Sequence, residues 1–218
     1  MSSVHRQPEI SHAYGRRVAL VLVDLQNDFC HPDGVFHRAD LRLAERERLV
    51  ECINTLAAAA RAGGHLVMWT KMTWSDDREV GLLAKRSPFL AHEGLRRGTW
   101  GAELLSELDV DETDEIIEKP RFSAFFSTDI DARLQAATIE TLVVAGVRTD
   151  FCVESTVRDA LFRDLEVFVP ADAVGGYVAD LHEHSLRLMG TVFASVVSTR
   201  DAVGLLQQSP VQATPQEV

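Results

Sequence analysis

Short hydrophobic runs alternate along the chain with longer stretches in which hydrophobic residues recur every three or four positions. The first pattern is typical of strands buried on both faces, and the second of helices that pack through one face. The clearest strand is Val18–Asp24, a hydrophobic run that ends in a carboxylate. The clearest helix follows it and ends at Gly63-Gly64, since paired glycines are a common stop signal.

This alternation predicts six strands and six helices. The strands are predicted at Val18–Asp24, His65–Thr70, Glu115–Glu118, Thr141–Ala145, Glu166–Val169 and Ala194–Val197. The helices are predicted at Leu41–Ala62, Ala102–Leu108, Thr128–Ala137, Phe151–Arg163, Asp180–Met189 and Asp201–Leu206. Strands that alternate with helices predict a doubly wound, six-stranded parallel sheet with helices on both faces, a three-layer α/β/α fold.

The length of 218 residues suits a single domain. We expect one domain over residues 1–218, with residues 1–16 and 208–218 as flexible tails. The segment Lys71–Gly101 carries no clear period and is predicted to be irregular, which makes it a candidate lid or substrate loop.

Composition narrows the possible partners. The formal net charge of −11 disfavours nucleic acid and anionic membranes, so we expect neither as a partner. The three cysteines (Cys30, Cys52 and Cys152) form no CxxC pair, and residues Met1–Arg17 lack the apolar core of a secretory signal. We therefore expect a cytoplasmic protein with reduced thiols.

Three reactive side chains stand where predicted strands end: Asp24, Lys119 and Cys152. Parallel strands deliver their carboxyl ends to one edge of the sheet, where ligands of such folds bind. Cys152 lies in the first turn of a predicted helix with Asp150 as its expected N-cap. The helix dipole and a nearby ammonium would lower the thiol pKa, and Asp24 could then carry the proton.

Each of these residues alone also has an ordinary structural interpretation. A lone cysteine is most often a small buried hydrophobe, a lone aspartate at a strand end caps a turn, and a lone lysine is solvated. The residues by themselves leave both interpretations open.

Three segments resemble one known family. They are D-L-Q-N-D-F from Asp24, K-P-R-F-S-A-F from Lys119, and G-V-R-T-D-F-C-V-E-S-T-V-R-D-A from Gly146. In this order and spacing they are similar to the isochorismatase-like cysteine hydrolase superfamily over essentially the whole chain. Within it, Gly98–Leu104 and Cys152–Thr156 look closest to the ureidoacrylate, biuret and N-carbamoylsarcosine amidohydrolases.

The resemblance implies a mechanism and its residues. Asp24, Lys119 and Cys152 match the family triad, in which the cysteine attacks an amide carbonyl, ammonia or an amine leaves, and water hydrolyses the thioester. A cis peptide at Val147–Arg148 is implied as well. It would direct the backbone N–H of Arg148, with that of Cys152, towards the oxyanion.

Candidate substrate contacts are less specific. The candidates are side chains near the predicted strand ends that could wall or hold a small substrate: Phe29, Trp74, Arg121, Phe122, Phe126 and Tyr177. Substrates of the similar branch are often carboxylates, so an arginine in the pocket is expected. Arg78, Arg121 and Arg148 are the candidates, and each could equally be a surface or ion-pairing arginine.

No metal and no cofactor are expected. The nicotinamidases of this superfamily hold a metal through histidines after the second strand, and Thr70–Glu79 contains none. His31 and His37 are expected to be loop residues. The main hypothesis is a metal-independent amidohydrolase for a small amide, carbamoyl or ureido substrate.

The alternatives are a vinyl-ether hydrolase of the isochorismatase type, in which Asp24 acts as an acid without a thiol, a nicotinamidase, and a non-catalytic binding module. The family resemblance also implies a homodimer or homotetramer.

Overall fold

The computed structural model describes residues 10–210 and contains one parallel sheet. Its strands are β1 (Val18–Val23), β2 (Leu66–Met72), β3 (Glu115–Lys119), β4 (Thr141–Val147), β5 (Glu166–Pro170), β6 (Val174–Gly175) and β7 (Ser195–Val197). The order is β3-β2-β1-β4-β5-β7, and β6 pairs with the end of β4. The predicted fold class is confirmed. The sequence did not predict β6, because two residues are too few to form a hydrophobic run.

Helices cover both faces of this sheet. They are α1 (Asn27–Cys30), α2 (Val35–Arg38), α3 (Arg46–Ala62), α4 (Asp77–Val80), α5 (Leu83–Arg86), α6 (Ile130–Ala136), α7 (Glu154–Leu161), α8 (Ala179–Leu188) and α9 (Thr199–Leu206). Alternate residues of β1 enter two hydrophobic cores, Leu20 and Leu22 beneath α3 and α9, and Val21 and Val23 beneath α6 and α7. No helix within residues 10–210 is long and apolar enough to cross a membrane.

Three of the six predicted helices differ from the structure by more than two residues at a boundary or in their existence. The predicted helix Leu41–Ala62 begins only at Arg46, because Glu45 has a φ of 48°. The helix predicted at Ala102–Leu108 is absent, and a 3-10 turn at Trp100–Ala102 stands before it. The helix predicted from Phe151 is instead a π-helical turn, Thr149–Val153, which continues into α7.

The segment predicted to be irregular is well packed. Trp74, Val80, Leu90 and Leu95 within it are buried in the core beneath α3. The buried carboxylate of Asp28 anchors the segment, accepting the Leu95 N–H at 2.6 Å and the Val35 N–H at 3.1 Å. Local sequence showed no period here because α4 and α5 are single turns held by long-range contacts.

The predicted tails lie partly outside the described residues, which exclude 1–9 and 211–218. Of the remainder, Ile10–Ala13 form a 3-10 turn in which Ala13 is fully buried. Arg16 donates to the Glu166 carboxylate at 3.0 Å. This part of the predicted N-terminal tail therefore packs against the domain.

Gly146 permits the close approach of β4 to β1. Its φ is +111°, and a Cβ atom there would lie 2.3 Å from the backbone oxygen of Val23. We expect Gly146→Ala to lower the free energy of unfolding by about 3 kcal/mol or more, through overlap and backbone strain together. Urea denaturation measures the change.

Gly64→Ala is the matched control. Its φ is +75°, but no atom lies within 4 Å of the added Cβ position, so only conformational strain of about 1 kcal/mol is expected. Equal losses in the two variants would contradict the close-approach argument.

Candidate active site

The strand register brings Asp24 and Lys119 to the same edge of the sheet. Val23 pairs with Thr70 of β2, and Lys119 pairs with Met72 two residues further along β2. The Lys119 Nζ donates to the Asp24 Oδ2 at 2.6 Å, and both side chains are fully buried. The Thr70 hydroxyl donates to the Asp24 Oδ1 at 2.7 Å. Thr70 was not predicted as a partner of Asp24, although its position at the end of a predicted strand could have indicated this role.

All three protons of the Lys119 ammonium have acceptors. Besides Asp24, the Nζ donates to the backbone oxygens of Arg121 and Phe122, each at 2.9 Å. A buried ammonium is tolerated when its charge is paired and its protons are all bound. The turn after β3 thus fixes the lysine in one orientation.

Cys152 lies against this pair and is 3% exposed. Its sulfur is close to the Asp24 carboxylate, which raises the thiol pKa, and to the Arg148 backbone N–H, which lowers it. Burial raises the pKa of the Cys152 thiol well above its ordinary value, and the nearby Lys119 ammonium opposes this only in part. The expected depressed pKa was therefore wrong, because sequence reasoning weighed the charges but not the loss of solvent.

The N-terminal cap predicted for this helix is also wrong. Asp150 lies inside the π-helical turn, where the Val153 N–H donates to the Arg148 carbonyl at 3.0 Å, five residues back. The Asp150 carboxylate accepts instead from the Arg148 guanidinium, with its Oδ2 2.6 Å from Nη2. The Val147–Arg148 peptide that precedes the turn is cis, as the family resemblance implies.

The Arg148 guanidinium is held between two aromatic rings. It lies 4.2 Å from the ring centre of Phe151 and 4.6 Å from that of Tyr177. Phe122 continues the stack, 5.2 Å from Phe151, and the Tyr177 hydroxyl donates to the Phe29 backbone oxygen at 2.9 Å. Phe151 was not among the candidates, although it directly precedes Cys152 in the sequence.

Two predicted substrate contacts are packing residues. Trp74 is fully buried, and its Nε1 donates to the Pro120 carbonyl at 3.1 Å, which supports the turn after Lys119. Phe29 is buried against Phe36, with ring centres 4.5 Å apart. Both side chains belong to the hydrophobic core beneath α3, so they support the site from within the protein and do not line it.

A cleft of about 400 Å³ opens at the ends of β2 and β3, with Lys119, Arg121 and Phe126 among the residues that line it. Phe126 is 53% exposed. Arg121 donates to the backbone oxygens of Glu79 and Pro120, so its guanidinium is engaged by the protein. Arg78 also lines the cleft, and its side chain makes no hydrogen bond or ion pair within residues 10–210.

No group of three or more His, Cys, Asp or Glu side chains in the described part of the chain is arranged to hold a metal ion. The His31 Nδ1 accepts the Asp33 N–H at 3.1 Å, and its ring meets the edge of Trp100. The histidine therefore stabilises its own loop.

Comparison with known proteins gives three kinds of match. The family model described as Isochorismatase domain matches residues 18–201. Ureidoacrylate amidohydrolase RutB of Klebsiella pneumoniae subsp. pneumoniae is 33% identical over 187 residues, 79% of each chain. The same enzyme of Acinetobacter baylyi is 32% identical over 220 residues, 93% of this chain and 89% of that protein.

Among solved structures, a cysteine hydrolase from Pseudomonas syringae pv. phaseolicola superposes with a TM-score of 0.82 at 26% identity, covering 95% of this chain and 99% of that one. The predicted hydrolase of carbon–nitrogen bonds other than peptide bonds is confirmed by these relatives. Since the family model matches most of the length of this chain, the chain belongs to the isochorismatase family.

Proposed function

We propose that the protein is a metal-independent cysteine amidohydrolase that cleaves a carbon–nitrogen bond of a small amide, carbamoyl or ureido substrate. The observation that carries the proposal is a buried cluster of three groups: the Cys152 thiol lies near the Asp24 carboxylate, whose Oδ2 accepts from the Lys119 ammonium at 2.6 Å. A nucleophile, a proton carrier and a fixed cation close together are the parts that acyl transfer needs.

The first half of the reaction breaks the carbon–nitrogen bond. Asp24 accepts the Cys152 proton as the sulfur attacks the substrate carbonyl carbon. The backbone N–H groups of Arg148 and Cys152 receive the oxyanion of the tetrahedral intermediate. The protonated Asp24 then gives its proton to the leaving nitrogen, ammonia or an amine departs, and a thioester to Cys152 remains.

The second half restores the enzyme. Asp24 takes a proton from a water molecule that attacks the thioester carbonyl, and the same N–H groups receive the second oxyanion. The intermediate collapses, the carbon–sulfur bond breaks, and the sulfur regains the proton from Asp24. Lys119 stays charged throughout and holds the Asp24 carboxylate in place.

The raised pKa of Cys152 suits this sequence of steps. Burial keeps the sulfur protonated until a substrate is bound, and the proton moves to a carboxylate already nearby. The thiolate then exists only while the Lys119 ammonium and the Arg148 N–H can stabilise it. A buried thiol of this kind is also protected from oxidation between turnovers.

Metal independence is supported by residue types. The stretch after β2, where the similar nicotinamidases hold a metal through histidines, has no histidine between Thr70 and Glu79. Trp74 in that stretch is committed to the core. The stretch therefore offers no imidazole or thiolate, and its carboxylates Asp76 and Asp77 are engaged by the Arg78 N–H and the Arg96 guanidinium.

A carboxylate on the substrate is supported by Arg78. This guanidinium has no hydrogen bond or ion pair within residues 10–210 and lines the cleft at the ends of β2 and β3, the sheet edge at which Lys119 stands with its side chain fully buried. Arg148 and Arg121 are engaged by the protein. A bidentate arginine–carboxylate contact suits a ureido acid. The names of the two ureidoacrylate amidohydrolases to which this chain is similar support the same substrate class.

We expect Cys152→Ala to reduce ammonia release from small amides and ureido acids by about 10³-fold or more, with a chelator present throughout, because the nucleophile is lost. Coupled ammonia detection measures the rate. Cys52→Ala, a change in α3, serves as control and should keep wild-type activity. Full activity in the Cys152→Ala variant would contradict the thiol mechanism and favour acid catalysis by Asp24 alone.

Asp24→Asn should lower kcat by about 10²- to 10⁴-fold, because the amide cannot take the thiol proton. The rate of Cys152 alkylation by iodoacetamide should rise while kcat falls, because the Asp24 carboxylate raises the pKa of the thiol and the amide does not. Mass spectrometry assigns the label to the residue. The control Asp33→Asn alters an exposed carboxylate and should leave both rates unchanged. Alkylation of the Asp24→Asn variant at the wild-type rate would sink the role of proton acceptor.

Arg78→Ala should raise KM for ureido acids by about tenfold, which corresponds to about 1.4 kcal/mol, and leave KM for uncharged amides unchanged. The control Arg86→Ala removes an exposed arginine of α5 outside the cleft. Initial-rate kinetics on both substrate types provide the measurement. An equal rise in KM for charged and uncharged substrates would rule against a carboxylate contact.

A further inference from the structure

Helix α8 presents two polar side chains to Thr149, the residue that follows the cis peptide. The Thr149 hydroxyl lies 2.8 Å from the His182 Nδ1, and the Ser185 hydroxyl lies 3.1 Å from the Thr149 carbonyl oxygen. Thr149 is fully buried and Ser185 is 2% exposed. The proposed reaction uses neither side chain of α8.

Thr149 is placed where small displacements matter for the reaction. Its neighbour Arg148 supplies the N–H that lies near the Cys152 sulfur, lowers the pKa of that thiol and would receive the oxyanion. The Arg148 side chain is held by Asp150, and its carbonyl by the Val153 N–H. Both of those contacts stay within the same turn and fix its shape. The covalent link to β4 and the contact with Tyr177 place Arg148, but the position of Thr149 also depends on contacts from outside the turn.

The contacts from α8 supply that position. They join the turn to a helix that begins 30 residues further along the chain and packs through Leu186 on the core beneath α7. A rigid external anchor of this kind sets the direction of a backbone donor, and catalysis is sensitive to that direction.

The two contacts are unequal. The Ser185 hydroxyl also approaches the Glu154 carboxylate, which Arg158 holds at 2.7 Å. A hydroxyl has one proton, so Ser185 can donate to Glu154 or to the Thr149 carbonyl but not to both at once. The Thr149–His182 hydrogen bond has no such competitor among the contacts of the described residues.

His182 is suited to a constant structural contact. Burial lowers its pKa below the ordinary value, so the ring is neutral at pH 7 and can accept the Thr149 hydroxyl proton at Nδ1. The ring also lines a separate cleft of about 550 Å³, next to Tyr177 and Gly176. Its other face is therefore open to solvent.

We infer that His182, assisted by Ser185, is a positioning residue that holds Thr149 and thereby directs the Arg148 N–H at the reacting centre. This inference rests on the proposed function. Loss of the contact weakens binding of the developing oxyanion, which exists only in the transition state and the intermediates. It should lower kcat and leave KM unchanged.

Matched substitutions at both ends of the hydrogen bond test the inference. Thr149→Val keeps the shape and removes the hydroxyl, whereas Thr149→Ser keeps the hydroxyl. His182→Ala removes the ring, His182→Asn restores a polar group near the Nδ1 position, and His184→Ala alters an exposed histidine of the same helix. The expected result is a 10- to 100-fold fall in kcat for Thr149→Val and His182→Ala, with KM within about twofold.

Thr149→Ser, His182→Asn and His184→Ala should retain most of the activity. The double variant Thr149→Val/His182→Ala should be no slower than the worse single variant, because the two residues act through one contact. Additive losses, or a Thr149→Ser variant as slow as Thr149→Val, would overturn the inference.

A second measurement needs no substrate. The pH dependence of Cys152 alkylation by iodoacetamide should move to higher pH in Thr149→Val and not in Thr149→Ser, since the Arg148 N–H no longer stabilises the thiolate. If the wild-type protein hydrolysed no amide, the proposed function would be wrong. The shift in the pH dependence of Cys152 alkylation would still test whether His182 and Thr149 position the Arg148 N–H. An unchanged alkylation profile in Thr149→Val would overturn it.

Discussion

The rest of the site depends on one interaction, the buried ion pair between Asp24 and Lys119. Burying two charges costs several kcal/mol each unless every proton and lone pair finds a partner. Here Thr70 binds one carboxylate oxygen, and two backbone carbonyls bind the remaining ammonium protons. The pair is therefore stable only when β1, β2 and the turn after β3 are all in register, which couples the chemistry to the fold.

The exclusion of water also determines the pKa of the Cys152 thiol. The chain buries the sulfur near the Asp24 carboxylate, so solvent cannot stabilise a thiolate and the thiol pKa rises. The ammonium of Lys119 and the N–H of Arg148 then become the groups that can receive negative charge. Polar groups directed inward at a dry site contribute more than they would in water, which is the physical basis of the proposed mechanism.

Particular residues show how much of the structure could be predicted from the sequence. The motifs starting at Asp24, Lys119 and Gly146 predicted the fold, the cis peptide and the three side chains that the structure brings together. No local pattern indicated that Trp74 lies in the core, or that Asp150 pairs with Arg148 instead of capping a helix. The burial of Trp74 depends on partners that are distant in the sequence, and the pairing of Asp150 with Arg148 depends on the extra residue of a π-helical turn.

Hydrophobic periodicity and strand-end chemistry are local properties, so the amino-acid sequence by itself determined the parallel α/β architecture and which residues reach its functional edge. Tertiary structure alone decided the protonation of Cys152, because burial depends on everything packed around the thiol. It also decided which of the three candidate arginines has no hydrogen bond or ion pair within residues 10–210, and that α8 reaches Thr149. Solvent exclusion and contacts between distant segments are collective properties of the folded chain, and no single stretch of sequence encodes them.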